Sequence, residues 1–324
     1  HFYVPRCLSN GELTQSASFL YQSVQSMQQI CSKPVIANAT LAQHTFLADM
    51  IYLTQIDQAM AYKTETEHYR RWRNRTNNVT GYGNTMCALY WQLNDIWQAP
   101  TWSTVDFGLR WKMAHYYARN FFAPLIVSPY FEKGDIVIVV SSDLNKEIVN
   151  VTVTLDVLEW TKGFTPVHSE NITVDIVPGF TAKVIYRKPI DRFLRLVTNR
   201  PNALPLENYL FRANLLDIEG EVLAPENILL PSVMYKVPPH QFGTATVKAV
   251  NRTGVAKYSV ILQAAKIAPF VWLEAPNIQG YFSNNGFTMT RETHSVEFYA
   301  WLKNDTFAKF TKDLTVKSIG NLYP

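Results

Sequence analysis

From residue 125 onward the chain consists of short β-rich runs separated by turns, and this pattern constrains its fold most. Runs of this kind cover residues 135–140, 150–156, 171–177, 180–186, 211–216, 244–250, 256–265, 271–274, 287–290, 295–301 and 314–318. Short strands at such spacing are typical of antiparallel β-sandwiches. A Pro-punctuated stretch over 188–205, interpreted as a linker or short helix, divides the runs into two groups. We therefore expect one β-sandwich domain over 125–190 and a second over 191–324.

The first part of the chain, residues 1–124, has a different pattern of apolar residues. Apolar residues spaced as on one helix face predict a helix within 41–75, and a second helix is predicted from about Leu109 to Phe122. Between them, residues 86–93 form an almost continuous apolar run of strand length, which suits a strand buried on both faces. Such a strand needs neighbours that this region does not supply. Either a partner chain completes it, or the region is the tail of a barrel.

Composition narrows the functional class. Only 17% of the residues are charged, against about 25% in average chains, and the formal net charge is +4. The dense basic cluster at 68–75 is interpreted as the last turns of a helix, where cations favour the helix dipole. We expect no nucleic-acid partner. Since no apolar run approaches about 18 residues, we expect no membrane span either.

Attached glycans would supply polar surface that the low content of charged residues does not provide. Seven Asn-x-Thr acceptor motifs begin at Asn38, Asn74, Asn78, Asn150, Asn171, Asn251 and Asn304. This number predicts passage through the secretory pathway and a lysosomal or secreted location. The three cysteines, Cys7, Cys31 and Cys87, allow at most one intrachain disulfide. Because the chain opens without a hydrophobic export core, we expect it to be a processed piece whose leader lies elsewhere.

Several segments resemble the β-mannosidases of glycoside hydrolase family 2, especially the animal lysosomal type. The last-strand motif Ala88-Leu-Tyr-Trp-Gln-Leu-Asn-Asp-Ile-Trp-Gln-Ala-Pro100 is the most specific, and it continues through 111–124. Further resemblance covers 51–55, 63–71, 268–273 and 282–287. The resemblance is close over about 45–124 and patchy over the remainder.

The resemblance implies a fold and a partner. The fold class is α/β plus all-β: residues 1–124 would be the terminal part of a (β/α)8 barrel, followed by two immunoglobulin-like β-sandwich domains. An N-terminal chain of the same precursor would complete the barrel and would carry the acid/base Glu. The implied reaction is hydrolysis of terminal β-D-mannose from oligosaccharides or glycoproteins by retaining double displacement. No cofactor is implied.

The resemblance also raises doubt about catalysis. The family nucleophile is a Glu that follows a Pro-Arg pair, and here Asn10 occupies that position after Pro5 and Arg6. A neutral amide cannot attack the anomeric carbon to form a glycosyl ester. Glu12 would face the same side of a strand but lie roughly 7 Å further along. Alternatively, residues 1–40 are a divergent loop and the nucleophile lies in a preceding chain.

Sugar-binding residues are implied at the mouth of the last barrel strand. Trp91 matches the aromatic floor of the mannose site, and Asn94, Asp95 and Trp97 could bond hydroxyl groups or hold the loop. The alternative is that Trp91 is barrel core. The seven histidines show no metal-ligand spacing, so no metal site is predicted. A non-catalytic structural, storage or glycan-binding role stays open because of Asn10.

Overall fold

The structure, a computed structural model, describes residues 39–98, 101–303 and 306–323. The chain divides into two compact units. The first contains the described residues up to Tyr62, the segment Tyr90–Tyr117 and the residues from Pro238 onward. The second contains Lys63–Leu89 and Ala118–Val237.

Four α-helices lie in the described residues. They are α1 (Ala39–Arg71), α2 (Met113–Phe121), α3 (Ile190–Thr198) and α4 (Phe307–Asp313). The predicted helices within 41–75 and 109–122 are confirmed, although α2 is shorter than expected at both ends. The stretch over 188–205 contains α3, whereas α4 had no clear sequence pattern. None of the described helices is both long and apolar enough to cross a membrane.

Fourteen strands lie in the described residues from Leu125 onward, and every predicted β-run overlaps one of them. The strands are β1 (Leu125–Glu132), β2 (Asp135–Ser142), β3 (Ile148–Glu159), β4 (His168–Val177), β5 (Ala182–Pro189), β6 (Tyr209–Leu216), β7 (Asn227–Leu229), β8 (Ala245–Gly254), β9 (Lys257–Ala264), β10 (Ala268–Glu274), β11 (Gly280–Phe282), β12 (Phe287–Met289), β13 (Thr293–Ala300) and β14 (Thr315–Lys317). The sequence pattern missed β1, β7 and β11.

The second unit is a β-sandwich. One sheet has the strand order β1-β2-β5 and the other has the order β4-β3-β6-β7. Alternate residues of the strands meet in one buried cluster, as the two-residue side-chain period of a strand requires. The fully buried members of this cluster include Ile136, Ile138, Val153, Leu155, Val157, Tyr209, Phe211, Ala213 and Leu215.

Strand β6 corrects the expected domain boundary at residue 190. It pairs with β3 from Thr152↔Leu216 to Glu159↔Tyr209, so it belongs to the sandwich expected to end earlier. Phe193 and Leu194 of α3 are buried in the same core, so 188–205 is not a linker between sandwiches. The two-residue period identified β6 as a strand, but it carries no information about which strand lies beside it.

Within the second unit, a buried polar cluster around Glu67 joins the end of α1 to the β-sandwich. Its carboxylate accepts hydrogen bonds from Ser128 Oγ at 2.9 Å and from Asn227 Nδ2 at 2.9 Å. Lys63 Nζ lies 3.0 Å from the same carboxylate, and Arg71 Nη1 donates to Ser128 Oγ at 2.7 Å. Because the buried carboxylate has both charge partners and donors, its burial is compensated.

The basic cluster at 68–75 has the structural role expected for it. Its first members lie in the last turn of α1. Arg70 is buried and donates to the carbonyl oxygens of Phe121 and Ala123, each at 2.7 Å, and to Asp143 at 2.9 Å. Burial lowers the pKa of the Arg70 guanidinium to about 10. Arg70 therefore joins α1 to the segment that leads into β1.

The first unit contains the C-terminal β-sandwich. Its sheets have the strand orders β11-β13-β9-β8 and β12-β10-β14. Helix α4 contributes Phe310, whose buried ring stacks on Tyr258 and Phe298 with centroid distances of 4.7 Å in both cases. Thr306 caps this helix by accepting a hydrogen bond from Lys309 N at 3.1 Å.

Helices α1 and α2 also contact this sandwich within the first unit. Tyr52 Oη donates to the carbonyl of Phe270 at 2.5 Å, and Gln55 Oε1 accepts from Met113 N, the first residue of α2, at 2.9 Å. Gly286 has a φ of 70°, and a Cβ atom there would lie 2.5 Å from the Met113 side chain. Glycine at this turn thus permits close packing of α2.

The described part of the chain does not show the barrel portion expected over 1–124. It shows helices α1 and α2 and the segment between them, without the paired parallel strands that define a barrel. Residues 86–93 do not form the expected strand. A strand requires a neighbour for its backbone hydrogen bonds, and no ladder to this run is present among the described residues.

Candidate active site

The candidate site spans the end of this apolar run, from Trp91, and the loop that follows it. Asp95 N donates to Val105 O at 2.9 Å, and Val105 N donates to Leu93 O at 2.9 Å. Thr104 N reaches both Gln92 O, at 3.0 Å, and Leu93 O, at 3.1 Å. These bonds close the base of the loop, so the predicted site residues project from a backbone that is held in place.

Trp91 projects into solvent at the start of this loop. Its side chain is 69% exposed, the peptide bond to Gln92 is cis, and its carbonyl oxygen accepts a hydrogen bond from Tyr62 Oη at 2.6 Å. Among the described residues Trp91 is not part of a buried core; whether it faces a barrel interior or a sugar site stays a prediction. An exposed indole face on an anchored backbone can pack against the apolar C–H face of a sugar ring.

Asn94 and Asp95 have different environments. Asn94 is exposed, and its Nδ2 donates to the Asp95 carbonyl at 3.2 Å. Asp95 is buried, accepts a hydrogen bond from Thr101 Oγ1, and lies 3.4 Å from Lys112 Nζ. Burial opposes ionisation, but the hydrogen bonds from Thr101 and Ser103 and the Lys112 charge outweigh it, so the pKa of Asp95 lies below its ordinary value. Asp95 therefore holds the loop.

Trp97 shares the exposure of Trp91, at 62%. Trp102 is also largely exposed, and its carbonyl oxygen accepts a hydrogen bond from Gln58 Nε2 at 2.8 Å. The loop therefore presents three tryptophans to solvent. Clusters of exposed aromatic residues are typical of binding or interaction surfaces, which makes this loop a candidate site.

Sequence reasoning missed the residues whose side chains hold the loop by hydrogen bonds. Lys112 Nζ donates to Ser103 Oγ at 2.8 Å as well as contacting Asp95. Thr104 is fully buried, and its hydroxyl lies 3.0 Å from Leu93 O, 3.0 Å from His115 Nδ1 and 3.1 Å from Tyr90 Oη. Ser103 and Thr104 carry no distinctive spacing, and the resemblance over 111–124 included Lys112 without assigning it a role.

The predicted nucleophile position, Asn10, lies outside the described residues, and so do Asn38 and Asn304. The other five acceptor asparagines are all exposed: Asn74, Asn78, Asn150, Asn171 and Asn251. Asn74 Oδ1 accepts a hydrogen bond from Ala182 N at 2.9 Å, which leaves the attachment atom Nδ2 on the other side of the amide. Exposure is compatible with attached glycans at these positions.

Comparison with known proteins adds independent information. A family model for an Ig-fold domain, Ig_mannosidase, matches residues 238–322. The chain is 38% identical over 277 residues to the β-mannosidase of Capra hircus and 37% identical over 277 residues to that of Bos taurus. It is 34% identical over 286 residues to a probable β-mannosidase of Caenorhabditis elegans. The chain is homologous to the C-terminal portion of the family 2 β-mannosidases.

These alignments cover most of this chain but only part of each relative. Between 85% and 87% of the chain is aligned, but the chain spans only about 30% of the length of each of these relatives. The β-D-mannosidase structure from Dictyoglomus thermophilum has a TM-score of 0.64, with 16% identity over 91% of this chain and 32% of that one. The exo-chitosanase CsxA of Amycolatopsis orientalis has a TM-score of 0.60 over 85% of this chain and 34% of that one. These likenesses support the fold alone.

Proposed function

We propose that this β-mannosidase homologue supplies the C-terminal part of a glycoside hydrolase that removes terminal β-D-mannose from oligosaccharides or glycoproteins. Sequence that precedes the homologous region would complete the barrel and supply the acid/base carboxyl group. The observation that carries the proposal is Trp91: it lies within the most specific motif and presents an exposed indole on an anchored backbone. We propose Trp91, Asn94 and Trp97 as contacts for the sugar.

The carboxylates nearest to Trp91 in sequence do not fit the catalytic roles. Retaining glycosidases need two carboxyl groups about 5–5.5 Å apart, one of them free to attack. Asp95 is buried with Thr101 and Lys112, and Asp106 accepts two hydrogen bonds from Arg110, at 2.9 and 2.7 Å. In this proposal the loop binds and orients the sugar, while the reacting carboxyl groups come from other parts of the protein.

Hydrolysis of an aryl β-mannoside at acidic pH, measured with the purified natural protein, tests the proposal. We expect Trp91→Ala to lower turnover at least tenfold, which corresponds to a loss of roughly 1.4 kcal/mol of transition-state stabilisation. Trp301→Ala is the matched control, since Trp301 is also partly exposed but follows β13 in the C-terminal sandwich. Absence of turnover by the natural protein would overturn the enzymatic proposal.

A second candidate function is supported by Asn10. If this amide replaces the nucleophile, the protein retains a sugar platform but cannot form a glycosyl ester, and it would act as a non-catalytic structural, storage or glycan-binding protein. A fluoro-mannoside inactivator that labels any Glu would exclude this candidate. Turnover gained on Asn10→Glu, from an inactive natural protein, would support it.

Passage through the secretory pathway, to a lysosomal or secreted location, is proposed from the acceptor motifs. Mass spectrometry after enzymatic removal of N-glycans should detect Asn-to-Asp conversion at the exposed positions. Conversion at Asn74 and Asn251 would place a glycan on each of the two units. A natural protein with unmodified asparagine at all of these positions would contradict this proposal.

A further inference from the structure

Two neighbouring side chains of α1 hold the backbone of the tryptophan loop. Tyr62 Oη donates to Trp91 O at 2.6 Å, and Gln58 Nε2 donates to Trp102 O at 2.8 Å. Gln58 Nε2 also donates to Tyr62 Oη at 3.4 Å. The two residues lie one helical turn apart, so they share one face of α1. A continuous chain of hydrogen bonds thus joins the carbonyl groups of two exposed tryptophans.

The phenol of Tyr62 is itself held in place. Its ring contacts the ring of Tyr90 with a centroid distance of 5.1 Å, and its hydroxyl accepts the bond from Gln58. Beyond Trp91, the carbonyl of Gln92 accepts from Thr104 N at 3.0 Å. The backbone of Trp91 is therefore fixed at its own carbonyl by Tyr62 and at the next carbonyl by Thr104.

We propose that Tyr62 is a positioning residue for sugar binding. By holding the Trp91 carbonyl it sets the direction of the Trp91 indole, whose face receives the ring of a terminal β-mannopyranoside. This inference rests on the proposed function, because it assigns Trp91 to the sugar. Stacking depends on the angle and height of an aromatic face, so a shift of the backbone beneath Trp91 weakens binding even though Tyr62 does not touch the sugar.

Isothermal titration calorimetry of the purified natural protein with methyl β-D-mannopyranoside tests the assignment. Tyr62→Phe keeps the ring that contacts Tyr90 and removes only the donor to Trp91. Since one hydrogen bond is lost, we expect Kd to rise about three- to tenfold. Tyr69→Phe is the matched control: it removes a phenol from the same helix whose hydroxyl donates to Glu65, and its Kd should equal that of the natural protein.

A double-mutant cycle separates positioning from a general structural role. In a Trp91→Ala background, Tyr62→Phe should have no further effect on Kd, because the indole through which it acts is gone. A similar loss in both backgrounds would overturn the inference, and so would an unchanged Kd for Tyr62→Phe alone. If the natural protein does not bind the mannoside, the proposed function fails and this inference fails with it. Binding by the natural protein with no effect of Tyr62→Phe overturns the inference alone.

Discussion

Two apolar runs have opposite environments in this protein. Residues 136–140, in β2, are completely buried. Residues 86–93 have the same strand-like composition, yet Met86 is 90% exposed and Leu89 is 84% exposed. Strand β2 pairs with β1 on one side and with β5 on the other. The run at 86–93 has no such ladder within the described residues.

The difference shows that an apolar run becomes a strand only when neighbours satisfy its backbone. Pairing on both edges removes the N–H and C=O groups of β2 from solvent, and the facing sheet covers Ile136, Ile138 and Val140. The run at 86–93 has apolar side chains suited to burial, but within the described residues no neighbouring strand pairs with its backbone. We propose that preceding sequence supplies these neighbours, as the homology to longer β-mannosidases suggests.

The largest expected effect comes from truncating a side chain in the buried run. Ile138→Ala should lower the free energy of unfolding by about 2–5 kcal/mol, because it leaves a cavity in the core of the second unit. Urea denaturation measures this change. Val255→Ala, at a 69% exposed position in the turn between β8 and β9, is the matched control and should lie within about 0.5 kcal/mol of the natural protein.

A charge in the exposed run distinguishes a solvent-facing segment from a covered one. Because we propose that other sequence covers this run, Leu89→Lys should destabilise the natural protein by about 1.5–3 kcal/mol, the value of one buried leucine. The midpoint of thermal unfolding measures it. Val255→Lys, in the exposed turn between β8 and β9, should leave the midpoint unchanged. Equal midpoints for both variants would show that the run at 86–93 faces solvent.

The polar support of the tryptophan loop should have a smaller effect. Lys112→Met removes the ammonium beside the buried Asp95 and the donor to Ser103. We expect a loss of about 1–2 kcal/mol, since a buried acceptor loses a partner, together with weaker binding of β-mannosides. Lys303→Met, an exposed lysine outside the loop, serves as the control. An unchanged free energy of unfolding would show that Lys112 does not support the loop.

The smallest expected effect is the pH dependence of that same support. The folded-state pKa of Asp95 lies below its ordinary value, so its contribution is fully present above the unfolded pKa of about 3.9. It is lost as the pH falls through the lower folded pKa. Asp95→Asn should therefore be less stable than the natural protein at pH 6, and the difference should shrink as the pH falls below about 4. A difference that stays constant with pH would contradict this assignment.

Sequence reasoning identified elements better than it identified their neighbours. The two-residue and helical periods located most strands and both predicted helices, because these periods are local properties. The same reasoning assigned β6 to the wrong sandwich, because its pairing with β3 joins residues such as Phe211 and Val157 that are far apart in sequence. Likewise, Trp91 was predicted as a site residue from a distinctive motif, whereas the hydrogen bonds of Lys112 to Ser103 and of Tyr62 to Trp91 follow from the fold and not from a local pattern.

The amino-acid sequence by itself determined the strand-rich character beyond residue 124, the acceptor asparagines and the resemblance to β-mannosidases. These depend on residue type and local spacing, which a sequence states directly. Only the tertiary structure decided that β6 completes the sandwich of the second unit. It also decided that Asp95 is buried beside Lys112 and that the carbonyl of the exposed Trp91 accepts a hydrogen bond from Tyr62. Each of these depends on which distant backbone groups come together, and that outcome follows from packing and hydrogen-bond satisfaction over the whole unit.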